Sequence, residues 1–264
     1  MTSDYLESIY AQMGQQLDPD ESYFERDSRF AALEEVLLSL PPGKLLDAGC
    51  GRGLLLRRLS KRHDCYGSDF DAGAVMHCQG SGLKVCQIDL NTSITLDPSF
   101  PTTFDAIVIS EVCEHLLNPR SALALAERTL APKGTLIVTV PNAVPLLVRS
   151  SVLAGREVSW LHYPSADTEA TGHIRFYTVS SMTRLLREAG FMVDAVRGVS
   201  FRMNGRFWER FCYWFPRIFG RNNDPARTKT DAWLGRHLPS FSPGLLFVCQ
   251  RLPAIPPNTN SPAV

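Results

Sequence analysis

The sequence predicts an α/β fold, a doubly wound and mostly parallel sheet with helices on both faces. Two observations carry this. Short apolar runs alternate with stretches whose apolar residues recur every three or four positions, and a glycine-rich turn follows the first run. Parallel strands are buried on both faces, so they read as continuous apolar runs, and they need helical crossovers to join them.

Residues 1–43 read as a helical lead-in. Ser28 can cap a helix whose Phe30, Leu33, Val36, Leu37 and Leu40 share one face, and Pro41-Pro42-Gly43 stops it. Strands are expected at 44–48, 65–68, 84–88, 106–110 and 135–140, with helices over 54–62 and 121–130. Pro141-Asn142 ends the fifth strand. The stretch 143–172 reads as an irregular cap over the end of the sheet. A helix over 178–189 stops at Gly190, and 191–199 and 245–248 read as two last strands. An aromatic insertion near 201–242 separates them, and 253–264 reads as a disordered tail. The organisation is therefore a lead-in (1–43), one domain (44–252) with insertions near 143–172 and 201–242, and a tail.

Composition narrows the function classes. The 264 residues carry 27 Lys+Arg and 27 Asp+Glu, so no overall field recruits nucleic acid or anionic lipid. The start is polar and acidic, unlike a signal peptide, and no apolar run approaches the ~20 residues of a membrane helix. The seven cysteines are scattered and form no CxxC pair, which suits reduced thiols in the cytoplasm rather than a disulfide framework.

Leu45-Leu46-Asp47-Ala48-Gly49-Cys50-Gly51-Arg52-Gly53 is the strongest local signal. Glycines let the backbone turn tightly and approach a ligand closely. A dinucleotide fingerprint would need glycine where Leu54 stands, and would leave the turn open to pyrophosphate. Here Asp47 sets a carboxylate at the turn. It should repel phosphate and attract a ligand bearing an ammonium or sulfonium group, which favours S-adenosylmethionine (SAM) over a dinucleotide. Asp69 ends the second run about twenty residues on, where an acid can accept hydrogen bonds from a ribose diol. Asp89, at the end of the third, could accept from an adenine amino group.

From Lys44 to Val140 the chain resembles the class I SAM-dependent methyltransferases, in the branch of the ubiquinone-biosynthesis O-methyltransferases. The resemblance rests on the glycine loop, Asp69, Asp89, the run Phe104-Asp105-Ala106-Ile107-Val108-Ile109-Ser110-Glu111-Val112-Cys113-Glu114-His115-Leu116 and the run Leu130-Ala131-Pro132-Lys133-Gly134-Thr135. Gly172-His173-Ile174-Arg175-Phe176-Tyr177 extends it. It implies a Rossmann-like sheet of seven strands whose last strand, 245–248, runs antiparallel. It also implies a SAM site made by Asp47, Gly49, Gly51, Gly53, Asp69, Asp89 and Ser110.

Methyl transfer from SAM is an in-line displacement at carbon with a neutral thioether leaving, so the reactants must be aligned and water kept out. A hydroxyl acceptor must also lose its proton. Glu111-Val112-Cys113-Glu114-His115 concentrates suitable groups after the fourth strand. Two readings stay open. His115 could act alone as general base. Alternatively Glu111, Glu114 and His115, on one face of a helical turn and with His173 added, could hold Mg²⁺ and lower the acceptor's pKa. Glu-x-x-Glu-His resembles the pattern of metal-using ubiquinone O-methyltransferases and small-RNA 3′-terminal methyltransferases. A blander alternative has Glu114 and His115 cap a helix. His162, Tyr163, Arg175 and Tyr177 are substrate contacts by location alone.

Between 201 and 219 aromatic residues alternate with arginines, a pattern that packs on a core, lines a channel for an apolar acceptor, or rests on a membrane surface. The leading expectation is O-methylation of a small, lipophilic hydroxyl compound. Methylation of nitrogen, carbon or an RNA terminus is the alternative within enzymes, and a SAM-binding partner protein without turnover is the alternative outside them.

Overall fold

The computed structural model describes residues 28–156, 172–199 and 233–253. In chain order the elements are α1 (Ser28–Ser39), β1 (Lys44–Ala48), α2 (Leu54–Leu59), β2 (Asp64–Asp69), α3 (Ala72–Gly80), β3 (Lys84–Gln87) and β4 (Phe104–Ser110). Then come α4 (Pro119–Thr129), β5 (Leu130–Pro141), α5 (Leu146–Leu153), α6 (Val179–Glu188), β6 (Phe191–Val199), a 3₁₀ turn (Pro239–Phe241) and β7 (Gly244–Arg251).

The seven strands form one sheet in the order β3-β2-β1-β4-β5-β7-β6. The first five are parallel, while β7 runs antiparallel between β5 and β6. The expected mostly parallel, seven-stranded sheet is therefore present. Strand alternation explains the two helical layers. Leu46, Ile107, Ile109, Leu136 and Val138 face one core, which they share with Leu123 and Ala126 of α4 and Leu186 of α6. Leu45, Ala106, Val108 and Ile137 face the other, packed with Leu33 and Leu37 of α1, Leu56 and Leu59 of α2 and Cys78 of α3. Burying each such leucine stabilises the fold by about 1.5–3 kcal/mol.

Local signals set the helix ends. Asp71 caps α3 by accepting from the Gly73 and Ala74 N–H groups, and Thr178 and Ser181 form a reciprocal capping box on α6. The structure adds a helix that the sequence did not announce, α3, and differs from expectation elsewhere as well. α2 ends at Leu59 instead of residue 62, because the chain turns there to bury His63, whose Nε2 lies 3.1 Å from the Leu37 carbonyl oxygen. β5 starts five residues early, since Leu130 already pairs with Phe104. The supposedly irregular stretch after Asn142 contains α5, preceded by Pro145, whose fixed φ suits a helix start. Most of the lead-in, His162, Tyr163, the aromatic segment 201–219 and the tail from 254 lie outside the described residues. No helix among the described residues is long and apolar enough to cross a membrane.

Strand order reverses direction between β1 and β4, because β1 is followed by β2 on one side and neighbours β4 on the other. Doubly wound sheets bind ligands in the crevice beyond the strand ends at such a switch point. The glycine loop leaves β1 there, and the Glu111–His115 segment leaves β4.

Candidate active site

The glycine loop is built for close approach. Gly49 and Cys50 donate their N–H groups to the Ser68 carbonyl, at 2.8 and 2.9 Å, which ties the loop to β2. Gly49 has φ +88, and a Cβ there would run into Cγ2 of Val112 from the loop after β4. Gly51 has φ +51, and a Cβ there would meet no atom within 4 Å. The first glycine thus lets two loops touch, and the second leaves open space over the strand ends.

Three acids stand near successive strand ends, and two of them, Asp47 and Asp69, flank this turn. Asp47 is 4% exposed. Burial first, then Asp69 and Cys78, push its carboxyl up to about 7. Asp69 ends β2 and accepts N–H bonds from Gly51 at 2.7 Å and Asp71 at 3.0 Å. Burial raises its carboxyl, and those backbone donors partly offset the rise. Each oxygen keeps a second lone pair for a hydroxyl. Asp89 accepts from the Asn91 N–H at 2.8 Å and the Thr92 hydroxyl at 3.2 Å. It lines an open cavity of about 390 Å³ together with Phe70, Ile88 and Leu96.

The loop after β4 divides into two groups. Glu111, the one non-glycine residue with positive φ (54°) among the described residues, turns its carboxylate toward α1 and β5. Arg29 meets it at 2.6 Å and the Thr139 hydroxyl donates to it at 3.0 Å. Ser110 lies 2.9 Å from that hydroxyl and must be the donor, since Thr139 spends its proton on Glu111. Glu114 points the other way. It is fully buried, and neither of its side-chain oxygens has a hydrogen-bond partner among the described residues. Nε2 of His115 and Nε2 of His173 each lie 3.9 Å from its Oε1.

The segment 172–177 straps this loop down through its main chain. Ile174 and Arg175 donate N–H bonds to the Glu114 carbonyl. The Arg175 guanidinium reaches the Leu116 and Leu117 carbonyls at 2.8 and 2.5 Å, and the Tyr177 hydroxyl donates to the Cys113 carbonyl at 3.2 Å. The Gly172 carbonyl can only accept, so the contact at 3.1 Å fixes the His115 proton on Nδ1 and leaves Nε2 bare. Burial and the neighbouring His173 push the His115 imidazole down to about 4.

Comparison with known proteins places the chain in a family. Residues 23–196 match a family described as a methyltransferase domain. The ubiquinone biosynthesis O-methyltransferase of Methylococcus capsulatus is 29% identical over 64% of this chain and 72% of that protein. That of Pseudomonas putida is 26% identical over 68% and 82%. A SAM-dependent methyltransferase of Thermotoga maritima has the same fold, with a TM-score of 0.57 at 17% identity over 93% of this chain and 99% of that one. The chain belongs to the SAM-dependent methyltransferases.

Within this methyltransferase the structure brings together Glu114, His115 and His173, whose ligating atoms lie within 4.8 Å of one another. It does not bring Glu111 to them. The expected shared helical face is corrected, because residues 111–117 form turns and Glu111's left-handed backbone aims its carboxylate elsewhere. The capping alternative is corrected too, since α4 begins at Pro119 after Asn118. Arg175 and Tyr177 brace the loop's carbonyls, which gives both a structural task. Sequence reasoning missed Arg29 and Thr139. Thr139 could have been found as a polar residue inside the apolar run of β5; Arg29 sits on a helix 82 positions from its partner and left no local signal.

Proposed function

We propose that this methyltransferase moves the methyl group of SAM to a hydroxyl oxygen of a small acceptor, beside a divalent cation held by Glu114, His115 and His173. The observation that carries the reading is Glu114. A buried carboxylate with no hydrogen-bond partner among the described residues, facing two imidazole nitrogens, is costly for the fold and fits a cation that would satisfy it. One carboxylate with two imidazoles suits Mn²⁺ or another first-row ion better than Mg²⁺, which prefers an all-oxygen shell. A cation there supplies Lewis acidity toward the acceptor's hydroxyl.

The chain's own groups do the rest. The bare Nε2 of His115 faces the Glu114 carboxylate, while the 172–177 strap holds the loop in place. Asp47, Asp69 and Asp89 surround the donor's path along the strand ends, with Gly49, Gly51 and Gly53 forming its turn and Ser110 holding Thr139. Arg29 offers a cation for the donor's carboxylate. In the transfer the C–O bond forms as the S–C bond breaks, the thioether leaves neutral, and the hydroxyl proton passes to solvent water. His115 acting alone as base is the weaker reading, because an imidazole pushed down to about 4 is a poor acceptor for a hydroxyl proton at neutral pH. That the Methylococcus and Pseudomonas relatives are O-methyltransferases supports oxygen as the acceptor atom. The aromatic sequence 201–219 supports an apolar acceptor, met in the cytoplasm or at a membrane surface.

The test is methyl-labelled SAM with a panel of phenols and catechols. Chelation should abolish turnover and Mn²⁺ restore it above Mg²⁺, and the paramagnetic signal of free Mn²⁺ should fall on adding protein. Turnover indifferent to chelator ends the cation reading. Tight SAM binding without turnover over the whole panel, with nitrogen and carbon acceptors and RNA ends included, would instead favour a SAM-binding partner protein.

A further inference from the structure

Two thiols meet beneath the glycine loop. Cys50 lies between Gly49 and Gly51 and is 8% exposed, and Cys78 lies near the end of α3 and is fully buried. Both sulfurs converge on one atom, the Gly51 carbonyl oxygen, at 3.6 Å from Cys50 and 3.4 Å from Cys78. Glycine backbone makes room for them: a Cβ on Gly67 would lie 2.8 Å from the Cys50 sulfur, and one on Gly53 would lie 2.9 Å from that of Cys78.

We propose that Cys50 and Cys78 form an oxidisable dithiol, which a peroxide converts to a disulfide that locks the glycine loop against α3 and weakens SAM binding. The effect on SAM rests on reading this loop as the cofactor site, whereas the disulfide itself does not. The two thiols are unequal. Their mutual interaction, helped by Arg57 and Arg52, lowers the Cys78 thiol, while the same interaction, burial and the nearby acids raise Cys50. Cys78, the thiol that ionises more readily, is the nucleophile once local opening of the loop admits the peroxide.

The Cys78 sulfur attacks the peroxide, an S–O bond forms as O–O breaks, and the departing hydroxide takes a proton to leave as water. The Cys50 sulfur then attacks Cys78, S–S forms as S–O breaks, and the second oxygen leaves as water with the Cys50 proton. The thiols lose two electrons, and the peroxide gains them. A covalent S–S bond of about 2 Å draws the sulfurs closer than their shared contact with one oxygen does. Cys50 must move toward α3, which displaces the Gly51 carbonyl between them and strains the Gly51 N–H bond to Asp69.

The experiment treats the full chain with hydrogen peroxide, blocks remaining thiols and maps peptides without reduction. Cleavage after Lys44 and Arg52 isolates Cys50, and cleavage before Asp71 separates Cys78 from Cys65. A linked Cys50–Cys78 peptide is expected, lighter by two hydrogens. Calorimetry should show the Kd for SAM rising by about tenfold or more and returning when dithiothreitol is added. Cys78→Ser should keep its affinity through the same treatment, and Cys78→Ala replaces it should the serine variant fail to fold. Protein that binds SAM when reduced and yields no linked peptide overturns the proposal. So does a linked peptide with unchanged Kd. Reduced protein that binds no SAM would overturn the reading of the loop, while the linked peptide would still decide the thiol pair.

Discussion

Arg29 and Glu111 close a 2.6 Å ion pair that ties α1 to the loop after β4, where Glu111 holds a left-handed backbone. Both side chains are about a quarter exposed, at 28% and 22%, so solvent screens the pair and its contribution to stability is no more than about 1 kcal/mol. A left-handed non-glycine residue costs roughly 1–3 kcal/mol, which places this strain at the crevice. On the proposed reading, its value to the protein lies in ligand binding. Arg29→Gln is expected to weaken SAM binding by about tenfold in calorimetry and to shift the melting temperature little. A large fall in melting temperature with unchanged SAM affinity would make the pair structural.

Gly49 abuts Val112 across the switch point. Gly49→Ala should cost roughly 1–3 kcal/mol from its positive φ, with the collision against Val112 added. Both effects distort the loop, so SAM affinity should fall with stability. Val112→Ala removes the obstructing methyl without touching the backbone strain. The double variant should regain part of the lost melting temperature, and a purely additive result would show that the two loops do not bear on each other.

Most of the sheet was legible because its strands are buried on both faces, so that Ala106-Ile107-Val108-Ile109 reads as an unbroken apolar run. The antiparallel course of β7 was not legible that way. Composition does not fix a strand's direction, and only the family resemblance supplied it. α3 escaped notice since Ala72–Gly80 has little amphipathic periodicity, although Asp71 was there as a cap. In the site, the glycine turn and the acids near the ends of β1, β2 and β3 follow from local order along the chain. The division of Glu111 from Glu114 does not. It depends on one backbone dihedral and on two partners, Arg29 and Thr139, brought in from α1 and β5.

Asp47 gives SAM binding a pH signature. Burial pushes its carboxyl up to about 7 in the folded chain, against roughly 4 when unfolded. Between these values the folded state holds a proton that the unfolded state has lost, so stability of the unliganded protein falls as pH rises through that window. A cationic ligand beside Asp47 favours its charged form. Calorimetry at about pH 6, in buffers of differing ionisation enthalpy, should register release of roughly one proton per SAM bound, fading by about pH 8. Asp47→Asn should abolish the release. Uptake that is independent of buffer at the lower pH would separate Asp47 from the ligand's charge.

Glu114 offers the sharpest contrast between stability and function. Burial, and next the charge of Glu111, push its carboxyl well above the usual range. The folded chain therefore keeps a proton that the unfolded chain gives up above roughly pH 4.5, and the site costs more stability as pH rises toward the folded value. Gln imitates the protonated acid. Glu114→Gln should leave the melting temperature nearly unchanged at about pH 5 and raise it at about pH 8, by roughly 2–4 °C for each kcal/mol recovered in a chain of this size. Mn²⁺ should stabilise the parent protein at the higher pH and leave the variant unmoved, because a neutral amide replaces the one carboxylate among three ligands. A variant that gains nothing in stability and still takes up Mn²⁺ would assign the cation elsewhere and reduce Glu114 to a buried packing residue.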